Sequence, residues 1–326
     1  MAPAPADLLG GDVLVADIGG TNARFAISDE TGALHDVRVL SAASFPNLDN
    51  AIAEYLSAVG RARPTRACFA VACPVHGPEI KLTNSPWRFV KAEIARAFDF
   101  TAFAVINDFE ALAASVPSLT GDKVHMLRPG QADPGAISLV IGPGTGLGVG
   151  GYVPAGKSAW ALISGEGGHI AFAPTTEREV RLWQQLRAKY GRVSAERVLN
   201  GAGLANVYRF LAGEAEQAVE EIDAPEISRR ARAGDSLATE AVLMFFEILG
   251  SVAGDLALAY GSRGGVYIGG GITPKLLEFA RRSSLVARFL DKGRIAGLLA
   301  PVPISVIMDE RAALYGARRQ FDREAT

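Results

Sequence analysis

Short apolar runs alternate along the chain with segments of helical spacing. The apolar runs predict strands at Val13–Ala16, Ala67–Ala72, Phe103–Ile106, Ile137–Ile141, Gly265–Ile268 and Ile304–Met308. Helical spacing predicts helices over Leu48–Val59, Trp87–Phe98, Phe109–Ser115, Glu177–Tyr190, Ser194–Leu199, Gly203–Ala212, Ser236–Tyr260 and Arg311–Gln320. Strands that alternate with helices in this way are typical of an α/β protein.

One pattern, a strand followed by a glycine turn and a returning strand, occurs twice. Val13–Ala16 runs into Gly19-Gly20-Thr21-Asn22, and Arg24–Ser28 returns. Ile137–Ile141 runs into Gly142-Pro143-Gly144-Thr145-Gly146, and Leu147–Val153 returns. Thr21 and Thr145 hold equivalent places 124 residues apart. The recurrence indicates a duplicated domain.

Both glycine turns have the composition of a phosphate site. Turns of small residues expose N–H groups that form an anion cradle, and a threonine hydroxyl adds a donor. A hairpin turn is the alternative for either turn alone, but it explains two equivalent copies less well. A third patch, Gly269-Gly270-Gly271, follows a strand and leaves room for an adenosine. Asp17, beside the first turn, suits a hydrated Mg²⁺, although a turn-capping role is the alternative.

One stretch matches the pattern of a different phosphate-binding motif, the P-loop. Residues Gly151 to Ser158 match G-x-x-x-x-G-K-[ST], the P-loop pattern. A P-loop needs a helix after it, whereas Pro154 to Lys157 resembles a hairpin turn and Ala159–Ile163 a returning strand. We therefore predict a hairpin there.

Composition narrows the class of protein. A length of 326 residues favours two domains, and a net charge of −2 argues against nucleic acid as a partner. The start of the chain lacks an export signal, and the apolar run Ala241–Tyr260 contains Glu247 and Asp255, which favours a buried helix over a membrane span. Cys68 and Cys73 are expected to be unbridged core thiols. These features predict a cytoplasmic protein without membrane contact.

Polar residues stand out in three further stretches. Asn107-Asp108 follows a strand, at the edge where α/β proteins bind ligands. The other two stretches are Ser164-Gly165-Glu166-Gly167-Gly168-His169 and Ser194-Ala195-Glu196-Arg197. Each also has a structural explanation, because Asp108 can cap a helix, Glu166 and His169 can lie on an ordinary loop, and Glu196 can stabilise a helix start.

Taken together, these motifs resemble those of the bacterial glucokinase family, within the actin/hexokinase/Hsp70 ATPase superfamily. They occur in family order between Val13 and Gly316. The motifs are Asp17-Ile18-Gly19-Gly20-Thr21-Asn22-Ala23-Arg24, Leu82-Thr83-Asn84, Ile106-Asn107-Asp108-Phe109, Gly142-Pro143-Gly144-Thr145-Gly146-Leu147-Gly148, Gly165-Glu166-Gly167-Gly168-His169, Ser194-Ala195-Glu196-Arg197-Val198-Leu199 and Gly269-Gly270-Gly271-Ile272. Neighbouring ROK proteins usually carry clustered zinc-binding cysteines after the histidine motif. No cysteine follows His169, so zinc is not expected.

The resemblance implies an actin-like (ribonuclease H-like) duplicated fold with two α/β domains flanking a cleft. The smaller domain would span residues 1–110, with a helix at 309–326 returning to it, and the larger would span 111–308. Glucose and ATP would bind in the cleft, which would close during catalysis. A homodimer is also expected.

The resemblance also implies roles for particular residues in ATP-dependent phosphorylation of D-glucose at O6, the first step of glycolysis. Asp108 would be the general base. Sugar hydroxyls would be held by Asn84, Asn107, Asp108, Glu166, His169 and Glu196. ATP would contact Ala16, Asp17, Ile18, Gly19, Gly20, Thr21, Asn22, Gly144, Thr145, Gly146, Gly270 and Gly271, with Mg²⁺ near Asp17, through water.

Two alternatives remain open from the sequence. One is a kinase of the same fold that acts on another hexose. The other is a sugar-sensing regulator without turnover, although Asp108 and both phosphate turns argue against it. The phosphoryl donor is also open, because the glycine turns would serve polyphosphate or ADP as well as ATP.

Overall fold

The protein is described from a computed structural model that covers residues 11–60, 63–83, 85–156, 159–218 and 221–325. The chain divides into two compact units. Unit 1 consists of residues 1–120 and 309–326, and unit 2 of residues 121–308.

Strands and helices alternate along the described residues, as expected for an α/β protein. The strands are β1 (Val13–Ile18), β2 (Asn22–Ser28), β3 (Leu34–Ser41), β4 (Arg66–Val71), β5 (Glu79–Lys81), β6 (Arg88–Val90), β7 (Ala102–Asn107), β8 (Val124–Arg128), β9 (Ser138–Pro143), β10 (Leu147–Pro154), β11 (Trp160–Ile163), β12 (Gly265–Ile268) and β13 (Ile304–Ile307). The α-helices are α1 (Leu48–Ala58), α2 (Lys91–Ala97), α3 (Asp108–Ala114), α4 (Glu177–Tyr190), α5 (Gly201–Glu214), α6 (Ala224–Arg232), α7 (Ser236–Tyr260), α8 (Leu277–Arg282), α9 (Leu285–Leu290) and α10 (Ala312–Ala325).

Unit 1 is built on a mixed five-stranded sheet in the order β3-β2-β1-β4-β7. The first three strands pair antiparallel, and β4 and β7 continue the sheet parallel to β1. Side chains of β1 alternate between two cores: Leu14 and Ala16 join the cluster that contains α1, whereas Val13 and Val15 join the cluster that contains α10. Both faces of this sheet are therefore covered, which explains the continuous apolar run in β1.

The last helix, α10, packs in unit 1 against α3, β1 and β4. α3 runs through residue 110, where the sequence placed the end of the first domain. Unit 1 continues to Thr120 before the chain enters unit 2.

Unit 2 contains a six-stranded sheet in the order β11-β10-β9-β12-β13-β8. Its first three strands are antiparallel, β12 and β13 are parallel to β9, and β8 closes one edge antiparallel to β13. The unit 1 sheet has the same order and strand directions over five positions. The predicted duplication is confirmed at the level of sheet topology.

The helix α7 is the central helix of the unit 2 core. By length and composition it could cross a membrane, but 78% of its apolar window is buried inside the protein. It packs against α5, α6 and α9. The prediction of a buried helix over Ser236–Tyr260 is confirmed.

Two helix predictions were wrong. The helix predicted over Trp87–Phe98 begins only at Lys91, because Arg88–Val90 pairs as β6 with β5. The helix predicted over Ser194–Leu199 is a single 3₁₀ turn, Ala195–Arg197. An isolated bridge between Ser194 and Ala171 holds the chain extended just before that turn.

Two other expectations are confirmed. The P-loop look-alike lies in a hairpin, since β10 and β11 pair antiparallel from Gly151–Ile163 to Pro154–Trp160, although Lys157 and Ser158 lie outside the described residues. Cys68 and Cys73 are buried, unbridged thiols. Only Cys68 lies on a strand, because β4 ends at Val71.

Candidate active site

The first group of predicted residues lies in unit 1, at the end of β1. Asp17 stands opposite Arg24 in the β1–β2 hairpin, and Arg24 Nη1 donates to Asp17 Oδ2 at 3.1 Å. Arg24 Nη2 donates to Glu310 Oε2 at 2.9 Å. Burial raises the pKa of Asp17, and the charge of Arg24 opposes that rise. Arg24 therefore orients a carboxylate beside the first glycine turn and favours its ionised form.

The turn between β1 and β2 is closed by one short backbone bond, from Gly19 N to Asn22 O at 2.9 Å. Thr21, at its tip, is exposed, and its carbonyl accepts from Ala42 N at 2.8 Å. Ala16 and Ile18 are completely buried. Their predicted contact with ATP would therefore use the backbone rather than the side chains.

Asp108 is the first residue of α3, where a capping box fixes the chain. The N-cap residue is Asn107, whose Oδ1 accepts from Phe109 N at 2.9 Å and Glu110 N at 3.4 Å. In return, Asn107 N donates to Glu110 Oε2 at 3.1 Å. The alternative role of Asp108 as the cap is thus filled by Asn107, although Asp108 Oδ1 also accepts from Phe109 N at 3.0 Å.

The environment of Asp108 makes it a stronger base than an ordinary carboxylate. Burial and then the charge of Asp17 raise the pKa of Asp108 to about 7, against smaller opposing effects from backbone and Asn107 hydrogen bonds. A general base works best when its pKa lies near the operating pH. The site therefore supplies a proton acceptor suited to neutral pH.

Asn107 has less freedom to bind a ligand than its sequence position suggested. Its oxygen caps α3, and its Nδ2 donates to Cys73 O at 3.3 Å. An amide nitrogen carries two hydrogens, so one donor is left for a sugar oxygen. Asn84, predicted for the same role, lies outside the described residues.

The second glycine turn joins β9 to β10 in unit 2, and three bonds from one neighbouring segment hold it. Glu196 Oε2 accepts from Leu147 N at 2.9 Å, and Asn200 Nδ2 donates to Thr145 O at 3.1 Å. Gly201 N donates to Gly144 O at 3.0 Å.

The third glycine patch packs directly against this turn. Gly269 N donates to Ile141 O at 2.8 Å, and Ile272 N donates to Pro143 O at 3.3 Å. Gly270 has φ +77°, and a Cβ there would lie 2.3 Å from Pro143 O. Only glycine fits this contact, so the two motifs that the sequence assigned to ATP share one surface of unit 2.

The predicted sugar-binding residues of unit 2 also lie together. His169 Nε2 is 4.0 Å from both Glu166 Oε2 and Glu196 Oε1. Exposed fractions are 67% for the Glu166 side chain, 57% for His169 and 26% for Glu196. Two carboxylates and an imidazole on an accessible surface offer acceptors and a donor to a polyhydroxylated ligand.

The loop that carries Glu166 and His169 is pressed against β10. A Cβ on Gly168 would lie 2.0 Å from Leu147 O, so a glycine is required for this approach. Arg192 Nη2 donates to His169 O at 2.9 Å and supports the loop from another side. These contacts fix the position of His169 relative to β10.

Asp17 also fits the predicted role near a magnesium ion. Arg24 engages Oδ2, and among the described residues nothing donates to Oδ1. The described residues contain no group of three or more His, Cys, Asp or Glu side chains placed for a metal. Mg²⁺ is commonly held by one or two carboxylates with phosphate oxygens and water, which matches this single carboxylate.

Three structural supports were missed in the sequence. Arg24 is part of the first motif, and the hairpin register places it opposite Asp17. Glu110, three residues after Asn107, completes a recognisable capping-box spacing. Asn200 precedes a Gly-x-Gly helix start, a position that favours an N-cap.

A family model and a curated relative both place the chain in the same family. The glucokinase family model matches residues 14–324. The glucokinase of Chromohalobacter salexigens is 47% identical over 312 residues, which are 95% of this chain and 98% of that one.

Solved structures agree. The crystal structure of a glucokinase from an Antarctic psychrotroph has a TM-score of 0.86 at 37% identity and covers 96% of this chain and 99% of its own. A ROK family glucokinase from Streptomyces griseus shares the fold, with a TM-score of 0.63 at 20% identity over 96% of this chain and 100% of that chain. The resemblance drawn from the motifs is confirmed, and the chain belongs to the glucokinase family of sugar kinases.

Proposed function

We propose that the chain transfers the γ-phosphoryl group of ATP to O6 of D-glucose, with Asp108 as the general base. The observation that carries the base assignment is the half-buried carboxylate of Asp108, held at the start of α3 with its pKa raised to about 7. Phosphoryl transfer depends on positioning, charge neutralisation and an acceptor for the proton of the attacking hydroxyl.

In this mechanism Asp108 accepts the proton from the O6 hydroxyl as that oxygen attacks the γ-phosphorus. The bond between the γ-phosphorus and the β–γ bridging oxygen breaks, and ADP leaves. The capping box keeps the carboxylate in place, because Asn107 and Glu110 fix the first turn of α3. The proton stays on Asp108 until it is passed to solvent after product release.

Glu166, His169 and Glu196 hold the other sugar hydroxyls in the proposal, and Asn107 adds one donor. Glu196 Oε2 is already engaged by Leu147 N, so Oε1 is the oxygen that faces a ligand. Sites that hydrogen-bond individual hydroxyls discriminate strongly against sugars that lack one. Asn84 stays a prediction from the resemblance.

Gly19 N and Gly144 N each bond within their own turn, so other backbone N–H groups of the Gly19–Asn22 and Gly144–Gly146 turns bind the ATP phosphates in the proposal. Gly270 and Gly271 face the nucleoside in the proposal. Mg²⁺, held near Asp17 through water, would neutralise phosphate charge when bound. The Streptomyces griseus glucokinase structure contains glucose and AMPPNP, which supports ATP as the donor here. A cleft between two domains, a homodimer, a cytoplasmic location and a place at the start of glycolysis stay predictions.

A coupled assay of ADP release over a panel of sugars tests the proposed function. The panel contains glucose, mannose, fructose and N-acetylglucosamine, each with ATP as donor. ADP and polyphosphate are tested as donors by measuring glucose 6-phosphate formation, because transfer from them releases no ADP. We expect the highest kcat/KM for glucose with ATP, and glucose 6-phosphate as the product. A higher kcat/KM for another hexose would replace glucose as the substrate, and glucose binding without any turnover would revive the sugar-sensing regulator.

A further inference from the structure

The segment Glu196–Gly201 forms three hydrogen bonds with the second glycine turn and the first residue of β10. Its bonds reach Leu147 N through Glu196, Thr145 O through Asn200 and Gly144 O through the Gly201 amide. The turn itself has one internal bond, from Gly144 N to Gly146 O at 2.8 Å. Most of the polar contacts that shape the turn therefore come from this segment.

Asn200 has two separate tasks in that arrangement. Its Oδ1 caps α5 by accepting from Gly203 N at 2.6 Å. Its Nδ2 donates to Thr145 O, in the middle of the turn. One side chain thus ties the N-terminus of α5 to the turn through both of its polar atoms.

We infer that Asn200 is a positioning residue for the nucleotide: it fixes the Gly144–Gly146 turn so that the turn's N–H groups point at the phosphates. This inference rests on the proposed function, because it takes the turn to be a phosphate site. A cradle of backbone N–H groups binds an anion well only when the peptide planes are held in one orientation. The Thr145 carbonyl shares a peptide plane with the Gly146 N–H group. Rotation of that plane would turn the Gly146 N–H away, and the Asn200 bond to Thr145 O opposes that rotation.

Glu196, in the same segment, also lies beside a predicted sugar-binding residue, His169. Glu196 uses Oε2 for the turn and directs Oε1 toward His169. Loss of the Asn200 side chain removes a hydrogen bond to the turn without removing a group proposed to bind the sugar. The inference therefore predicts that nucleotide binding weakens while glucose binding does not.

The test compares Asn200→Ala with Asp223→Ala in the full chain. Asp223 caps α6 by accepting from Glu226 N at 3.0 Å, so its loss removes an N-cap in the same unit without touching the turn. Asn200→Asp is a second variant, which keeps a capping oxygen but lacks the donor to Thr145 O. Isothermal titration with AMPPNP and Mg²⁺, and separately with glucose, measures both affinities, and hydrogen–deuterium exchange follows the amides of Thr145–Leu147.

We expect Asn200→Ala and Asn200→Asp to weaken AMPPNP binding by about three- to tenfold, the effect of one lost hydrogen bond. Exchange of the Thr145–Leu147 amides should quicken in both, and glucose affinity should stay at the wild-type value. Asp223→Ala should lose melting temperature but keep AMPPNP affinity. Equal AMPPNP affinity in the Asn200 variants and Asp223→Ala would overturn the inference. Absence of glucose-dependent ADP release from the wild type would instead overturn the proposed function.

Discussion

The raised pKa of Asp108 suits the proposed reaction but lowers the stability of the folded protein at neutral pH. Burial and the nearby charge of Asp17 raise its pKa from 3.8 to about 7. The folded protein therefore keeps this proton at pH values where the unfolded chain has lost it. Through this group, the free energy of unfolding falls as pH rises from about 4 to about 7.

The same shift predicts the pH dependence of catalysis. Asp108 accepts a proton only when it is ionised, so kcat/KM for glucose should decline as pH falls through about 7 and drop by about tenfold per unit well below that value. Initial rates between pH 5.5 and 8.5, at fixed Mg²⁺ and ionic strength, measure the profile. A profile that is flat down to pH 5.5 would contradict the assignment of Asp108 as the base.

At this scale the sequence indicates candidate residues but not their contacts. The position of Asp108 after a strand is sufficient to mark it as a candidate site residue, which stays a prediction. The capping-box spacing of Asn107 and Glu110 contains the signal for the Oδ1 bonds of Asn107. Its Nδ2 bond was not predictable from the motif, because it depends on Cys73, 34 residues earlier in the chain. Arg24 was missed because its role depends on hairpin register with Asp17.

Among the elements, the loop from Glu166 to His169 depends on close packing against β10. Gly168→Ala would place a Cβ 2.0 Å from Leu147 O, so the loop must move away from the strand. We expect a loss of about 1–3 kcal/mol in unfolding free energy, as for other overpacked sites. The KM for glucose should rise as well, since His169 moves with the loop. Denaturant unfolding and steady-state kinetics measure the two effects.

Gly165→Ala in the same loop is the matched control. Nothing lies within 4 Å of a Cβ at Gly165, and its φ is not in the left-handed range. That variant should keep wild-type stability and KM. If Gly168→Ala and Gly165→Ala had the same unfolding free energy and the same KM for glucose, the packing of Gly168 against Leu147 would not determine the geometry of the proposed sugar site.

Elements with a strong local pattern were predicted well, and those determined by pairing were not. The helix predicted over Ser236–Tyr260 has the observed bounds of α7, because its apolar residues are continuous and Asp235 caps it. The start of α2 was misplaced because Arg88–Val90 pairs with β5, Glu79–Lys81. Pairing of this kind depends on contacts with another segment, which the helical spacing of Trp87–Phe98 does not contain.

For the molecule as a whole, the repeated glycine turn was the most informative feature of the sequence. It predicted the duplication, and both sheets indeed share five strand positions of equal order and direction. Each unit places one glycine turn after the third strand of its sheet order, β1 in unit 1 and β9 in unit 2. A carboxylate lies beside each turn: Asp17 in unit 1 and Glu196 in unit 2. The two turns are therefore similar in sequence and sheet position but differ in the carboxylate beside them.

The two units also divide the proposed work. Unit 1 carries the base, Asp108, whereas unit 2 carries Glu166, His169 and Glu196 for the sugar hydroxyls. A change that removes only the base should therefore separate transfer from binding.

The most direct test of this account is a comparison of kcat and glucose affinity in Asp108→Asn. We expect kcat to fall by a factor of about 10² or more, as expected for loss of a general base, while titration still detects glucose binding. Asp49→Asn, an exposed carboxylate change in unit 1, is the control and should keep the wild-type kcat. A kcat for Asp108→Asn close to that of the wild type would contradict the central claim.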